Sequence, residues 1–133
     1  MALIFLNMDE NDISFIIRGC SFKVHNKLGP GLLESVYERA LSKELLKAGM
    51  TVKNQVGISM SYDDICFDCG FRLDIIVNNL VIIEVKSVDT LIKIHYKQLL
   101  TYLKLTEKKL GILINFNSVS LDKNSLVRIV NKL

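Results

Sequence analysis

The chain is short of long apolar runs. Ala2 to Leu6 is too brief for a membrane span or a secretory leader and has no basic segment before it, so no membrane contact is expected. Residues 1–7 carry no clear periodic role, and Met8 stands as a second candidate initiator. Cysteine is scarce: Cys20, Cys66 and Cys69 make an odd set, which argues against a secreted disulfide framework and points to a reducing, cytoplasmic setting. A lone Cys66-x-x-Cys69 lacks the second ligand pair of a zinc site, and His25 and His95 lie in other segments. Structural thiols are therefore the expected reading. Net charge is only +3, which excludes a protein that is basic throughout; any contact with nucleic acid must come from a local face. No repeat, low-complexity tract or linker divides the chain. With 133 residues and 50% hydrophobic content it is sized for one good core, and a single domain over residues 1–133 is expected.

What is present reads as a mixed α/β chain. Ile13, Ile16, Ile17, Cys20 and Val24 recur at helical spacing behind Asn11 and Asp12, predicting a first helix to about Lys27, broken by Gly29-Pro30-Gly31. Leu33, Val36, Tyr37, Ala40, Leu41 and Leu45 form the stripe of a second helix that stops at Gly49, a left-handed cap. Val52 to Tyr62 mostly alternates and predicts a long strand with a bulge near Gly57. Phe71–Val77 and Leu80–Lys86 predict two strands, Ile92–Leu105 a third helix, Leu110–Phe116 a buried strand and Leu126–Val130 a final short one.

Asp74, Glu84 and Lys86 stand out because they put three charges on two adjacent apolar strands. Carboxylates held about 5 Å apart repel by roughly 3 kcal/mol at an effective dielectric near 20, and a bound cation removes that cost. Oxygen-only ligands favour magnesium or manganese. Lys86, two residues beyond Glu84, points to the same face, where it can hold or activate a water. The pattern suits metal-assisted hydrolysis of a phosphodiester. The alternative is an exposed edge strand on which Glu84 and Lys86 form a solvated pair.

Strand geometry adds a condition. A two-residue turn at Asn78-Asn79 would set Asp74 opposite Ile83 and turn it away from Glu84. A three-residue loop, Asn78-Asn79-Leu80, pairs Val77 with Val81 and sets Asp74 opposite Glu84 and Arg72 opposite Lys86. An odd loop, or a bulge with the same effect, is therefore expected.

Asp74 followed by Glu84-Val85-Lys86 resembles the motif of the PD-(D/E)XK nuclease superfamily, without a proline before Asp74. Gly70-Phe-Arg-Leu-Asp74 and Gln98-Leu-Leu-Thr-Tyr102 are similar to the glycine-to-aspartate segment and the Q-x-x-x-Y helix of its RecB-like branch. Gly31-Leu-Leu-Glu34-Ser-Val-Tyr37 resembles the signature of the GxxExxY family, as do Leu28-Gly-Pro-Gly31 and Gly111–Phe116 around it. Asn117 stands where family members often carry glycine, and a left-handed turn tolerates asparagine, so the departure leaves the expected fold intact. The resemblance implies a restriction-endonuclease-like core, a central mixed sheet flanked by helices in the order helix, three strands, helix, strand. It also implies a magnesium or manganese ion held by Asp74, Glu84 and the Val85 carbonyl, with Glu34 as an outer or additional ligand. Lys86 would position the water, and Gln98 with Tyr102 would orient substrate or solvent.

Each residue also has a plainer reading. A carboxylate at Glu34 suits the first turn of a helix, favoured by about 0.3 to 1 kcal/mol. Glu34 and Tyr37, three apart, share a face from which both could reach the pocket. His95, Gln98 and Tyr102 form a polar stripe beside Tyr96, Leu99, Leu100 and Leu103, and for His95 alone a polar shoulder is the better account. Lys93 and Lys97, with Arg72 and His95, are candidate nucleic-acid contacts, although a solvated face explains the lysines nearly as well. The expectation is a magnesium-dependent nuclease acting on nucleic acid, DNA ahead of RNA, with self-association left open. The alternatives are a non-catalytic binding module on the same scaffold, and a hydrolase of a small phosphorylated metabolite, which would want a closed apolar pocket.

Overall fold

The computed structural model describes residues 7–133, apart from the Cys69 side chain; the Ala2–Leu6 run lies outside them. Helices α1 (Glu10–Leu28) and α2 (Glu34–Lys47) precede strands β1 (Val52–Tyr62), β2 (Ile65–Val77) and β3 (Val81–Lys86). Helix α3 (Lys93–Thr106) and strands β4 (Leu110–Asn115) and β5 (Leu126–Val130) follow. The strands form one five-stranded sheet in chain order. β3 and β4 are parallel, joined by α3 as a crossover, and every other pair is antiparallel.

Asp9 caps α1, its carboxylate accepting the Asp12 N–H while Asp12 answers the Asp9 N–H. Ile13, Ile17, Cys20 and Val24 of α1 and Tyr37, Leu41 and Leu45 of α2 pack on one sheet face, against Ile75, Val77, Ile83, Val85 and Ile112. Leu99, Tyr102 and Leu103 of α3 cover the other, against Leu73, Ile76, Ile82 and Leu113. β3 and β4 are buried on both sides, which is why they read as continuous apolar runs. Gly49 takes the expected left-handed conformation, φ 89°, after α2.

The β2–β3 connection is the three-residue loop. Val77 pairs with Val81, Ile76 with Ile82 and Ile75 with Ile83, and Asn78 and Asn79 both turn left-handed at φ 50° and 55°. The β1–β2 ladder shifts between Gly57 and Ser59, as the bulge near Gly57 anticipated. The sequence reading missed that β2 begins at Ile65, pairing Tyr62 with Ile65 across a left-handed Asp63-Asp64 turn. Those residues carry mixed polarity and large exposed apolar side chains, so no half-buried alternation marks them as strand.

Candidate functional site

The site forms where β2 and β3 part. Their ladder ends at Ile75↔Ile83, one residue short of Asp74 and Glu84. Beyond it the two carboxylates replace backbone pairing: Asp74 Oδ2 accepts the Val85 N–H at 2.8 Å, and Glu84 Oε1 accepts the Asp74 N–H at 3.4 Å. A strand residue turns its N–H and C=O towards the same neighbour, so the Val85 carbonyl also faces this gap. Two carboxylates and a backbone carbonyl thus converge where the sheet opens.

Side-chain alternation explains why β2 leaves the ladder. Leu73 packs in the α3 cluster whereas Ile75, two residues on, packs in the α1–α2 cluster. A regular strand would put both on one face, so β2 kinks at Asp74. β1 kinks beside it: Gln55 lies between the pairs Asn54↔Ile75 and Val56↔Leu73 with φ 52°, a left-handed value that side-chain-bearing residues disfavour. The kink leaves Asp74 half-buried and leaves Glu84 only 6% exposed.

Burial governs the electrostatics. It pushes the Glu84 carboxyl up to about 9, helped by the Asp74 charge and by a hydrogen bond between the two carboxyls, while Lys86 pulls the other way. Without a cation Glu84 therefore keeps its proton at neutral pH. Tyr102 is buried against the same pair, and burial, then Glu84 and Asp74, push its hydroxyl up to about 12. It stays a neutral phenol able to donate. Its ring lies 5.8 Å from that of Phe71, which walls this side.

The donor set fits a hard divalent cation. Among the described residues no group of three or more His, Cys, Asp or Glu side chains is placed to hold a metal; the pair Asp74 and Glu84 is a two-carboxylate set, beside which the Val85 carbonyl could add a third oxygen. Magnesium is commonly bound by one or two carboxylates, with water and substrate phosphate filling its shell.

Lys86 is half-buried at the end of β3 on the Glu84 face, and Gln98 is half-buried one turn before Tyr102 on α3. Glu34 does not meet the carboxylates by hydrogen bond. Its Oε2 accepts the N–H of Ser87, just past Lys86, while Ser87 Oγ donates to the Leu32 carbonyl. Tyr37 departs from expectation, because it is fully buried. Its hydroxyl donates to the Gly29 carbonyl at 2.5 Å and accepts the Leu32 N–H at 3.1 Å, and its ring stacks on Phe116 at 4.7 Å. Tyr37 therefore clamps the loop that launches α2 and does not face the pocket. His95 Nδ1 accepts the Ile92 N–H at the start of α3, the polar-shoulder reading. Lys93 and Lys97 are exposed on the same helix, and exposed Arg72 donates to the Gln55 carbonyl at 3.4 Å, the β2–β3 ladder having ended before it could pair with Lys86.

Three contributions escaped the sequence reading. Glu38, one turn after Glu34, shares the amide of Gln55 with Asp74. Burial first, then Asp74, push its carboxyl upward, against the pull of the Asn54 and Gln55 amides. Asn115, 4% exposed, accepts the Val88 and Asn117 N–H groups and donates to the Val88 carbonyl, pinning the segment after β3. Asn117 is not among the left-handed residues; its side chain accepts the Gly31 N–H and donates to the Val88 carbonyl, joining the loops before α2 and after β3. The i, i+4 spacing of Glu34 and Glu38, and the polar pair Asn54-Gln55 inside an alternating strand, were the available signals.

A kinked mixed sheet with helices on both faces, opening over paired carboxylates and a lysine, defines a nuclease-type α/β core. A family model described as the PD-(D/E)XK nuclease superfamily matches residues 11–129, and the chain belongs to that superfamily. Membership points to nuclease chemistry and a nucleic-acid substrate. No curated protein and no solved structure matches the chain significantly. No helix among the described residues is long and apolar enough to cross a membrane.

Proposed function

We propose that this chain is a divalent-cation-dependent nuclease of the GxxExxY type that hydrolyses phosphodiester bonds of nucleic acid, with DNA ahead of RNA. The observation that carries the reading is the opened β2–β3 ladder, in which Asp74, Glu84 and the Val85 carbonyl converge beside Lys86 and Tyr102. Asp74, Glu84 and the Val85 carbonyl would hold magnesium or manganese, which when bound supplies Lewis-acid activation of water and phosphodiester.

The residues around that position divide the work. Lys86 lies near enough to Glu84 to oppose its protonation, and orients the attacking water and screens charge developing on the phosphate. Tyr102, kept neutral, donates to a phosphate oxygen, and Gln98 one turn earlier donates beside it. Glu34 holds Ser87, and with it the end of β3 that bears Lys86. Lys93, Lys97, Arg72 and the free edge of His95 are the contacts proposed for the nucleic-acid backbone.

The test is a cleavage panel of labelled single- and double-stranded DNA and RNA with magnesium or manganese, beside Asp74→Ala. Cation-dependent cleavage lost in the variant is expected. Binding of nucleic acid with no cleavage of any substrate would refute the reading in favour of a non-catalytic module.

A further inference from the structure

The nuclease reading gives no task to Glu38, Asn54 and Gln55, yet their side chains form a continuous polar network reaching Asp74. Glu38 Oε1 accepts from Gln55 Nε2 at 2.7 Å and its Oε2 from Asn54 Nδ2 at 3.2 Å; Asn54 Nδ2 also donates to Ser42 Oγ at 2.8 Å. The Gln55 amide nitrogen, which has two hydrogens, reaches Asp74 Oδ1 at 3.3 Å as well, so one neutral group spans two carboxylates. The other Asp74 oxygen is taken by the Val85 N–H. Asp74 is therefore gripped from both neighbouring strands, which settles the plane of its carboxylate.

The backbone at Gln55 is strained as well. At φ 52° a residue with a side chain is strained, and glycine would occupy the position at lower cost. The strain sits where β1 kinks beside Asp74, and strained residues persist at sites where their placement is used. The glutamine side chain offsets that strain through its contacts with Glu38 and Asp74.

The geometry points to Gln55 and Glu38 as positioning residues: Gln55 sets the Asp74 carboxylate for cation binding, and Glu38 on α2 holds Gln55 in place. This rests on the nuclease reading only in taking Asp74 as a cation ligand. Helix α2 thereby reaches the cation site along a route separate from the Glu34–Ser87 contact.

Mn2+ affinity, read by electron paramagnetic resonance on the full chain, tests this in wild type, Gln55→Gly, Glu38→Gln and the double variant, with melting temperatures in chelator. Gln55→Gly should bind Mn2+ about tenfold more weakly, as loss of an outer-shell partner does. Its metal-free melting temperature should stay near wild type, because the relieved strain offsets the hydrogen bonds lost to Glu38 and Asp74. Glu38→Gln should weaken binding in the same direction, and the double variant should be no worse than Gln55→Gly, since both act through one contact. Wild-type Mn2+ affinity in Gln55→Gly overturns the proposal. So do multiplying losses in the double variant, an affinity loss that only follows a falling melting temperature, or a wild type that binds no Mn2+. Cleavage on the same preparations separates the two readings, because a wild type that binds Mn2+ but cuts nothing removes the nuclease assignment and leaves the positioning intact.

Discussion

Replacing Glu84 with glutamine should make the metal-free protein more stable at neutral pH, and the gain should vanish in acid. Glu84 titrates near 4.5 unfolded and at about 9 in the fold, raised by burial and by Asp74. Between those values the unfolded chain has released this proton and the native state still binds it, so stability falls as pH rises, by about 1.4 kcal/mol per pH unit. At pH 7 the interval above 4.5 is 2.5 units, a penalty of about 3 kcal/mol. Glu84→Gln keeps the shape and the oxygen that accepts the Asp74 N–H but cannot ionise. It should exceed wild type by up to that amount at pH 7, or roughly 10 °C in melting temperature for a chain of this size. At pH 4 the two should converge. Urea unfolding in chelator from pH 4 to pH 9 measures the difference curve, in which other titrating groups cancel. A cation should displace the proton, so wild-type Mn2+ affinity should strengthen by up to tenfold per unit over the same window. Identical pH–stability curves for wild type and Glu84→Gln, or a variant less stable at pH 7, would refute the reasoning.

Lys86→Ala should abolish hydrolysis while leaving the melting temperature and Mn2+ affinity near wild type, and Lys86→Arg should not restore it, because guanidinium is bulkier and differently shaped; wild-type turnover in the alanine variant, with contaminating nuclease excluded, would sink the assignment. Tyr37→Phe removes the hydroxyl shared by Gly29 and Leu32 and should cost about 1 to 3 kcal/mol, seen in urea unfolding, with the stacked ring retained. Gly111→Ala would set a methyl 2.9 Å from the Leu99 side chain and should destabilise by about 1 to 3 kcal/mol, so an unchanged melting temperature would contradict the packing of α3 on β4.

Local pattern was enough for the elements and for one decisive register. The helical spacing of Ile13, Ile17, Cys20 and Val24, the apolar runs of β3 and β4, and Gly49 each express a preference of neighbouring residues. Asn78 and Asn79 tolerate the left-handed turn that makes the loop odd, and the resulting register carries the ladder to Ile75 and Ile83, one residue short of Asp74 and Glu84. Tertiary packing decided the rest. The kink at Asp74 shows only in the opposite burial of Leu73 and Ile75, which depends on which helix covers each face. Tyr37 turned inward because Phe116, far along the chain, offers a ring to stack on and the Gly29–Leu32 loop offers partners for its hydroxyl. Glu38 was drawn to the site by Gln55, whose left-handed backbone no local preference anticipates. Periodicity tells which side of an element faces inward, whereas the groups it meets there come from segments distant in sequence, and their identity is set only when the layers pack.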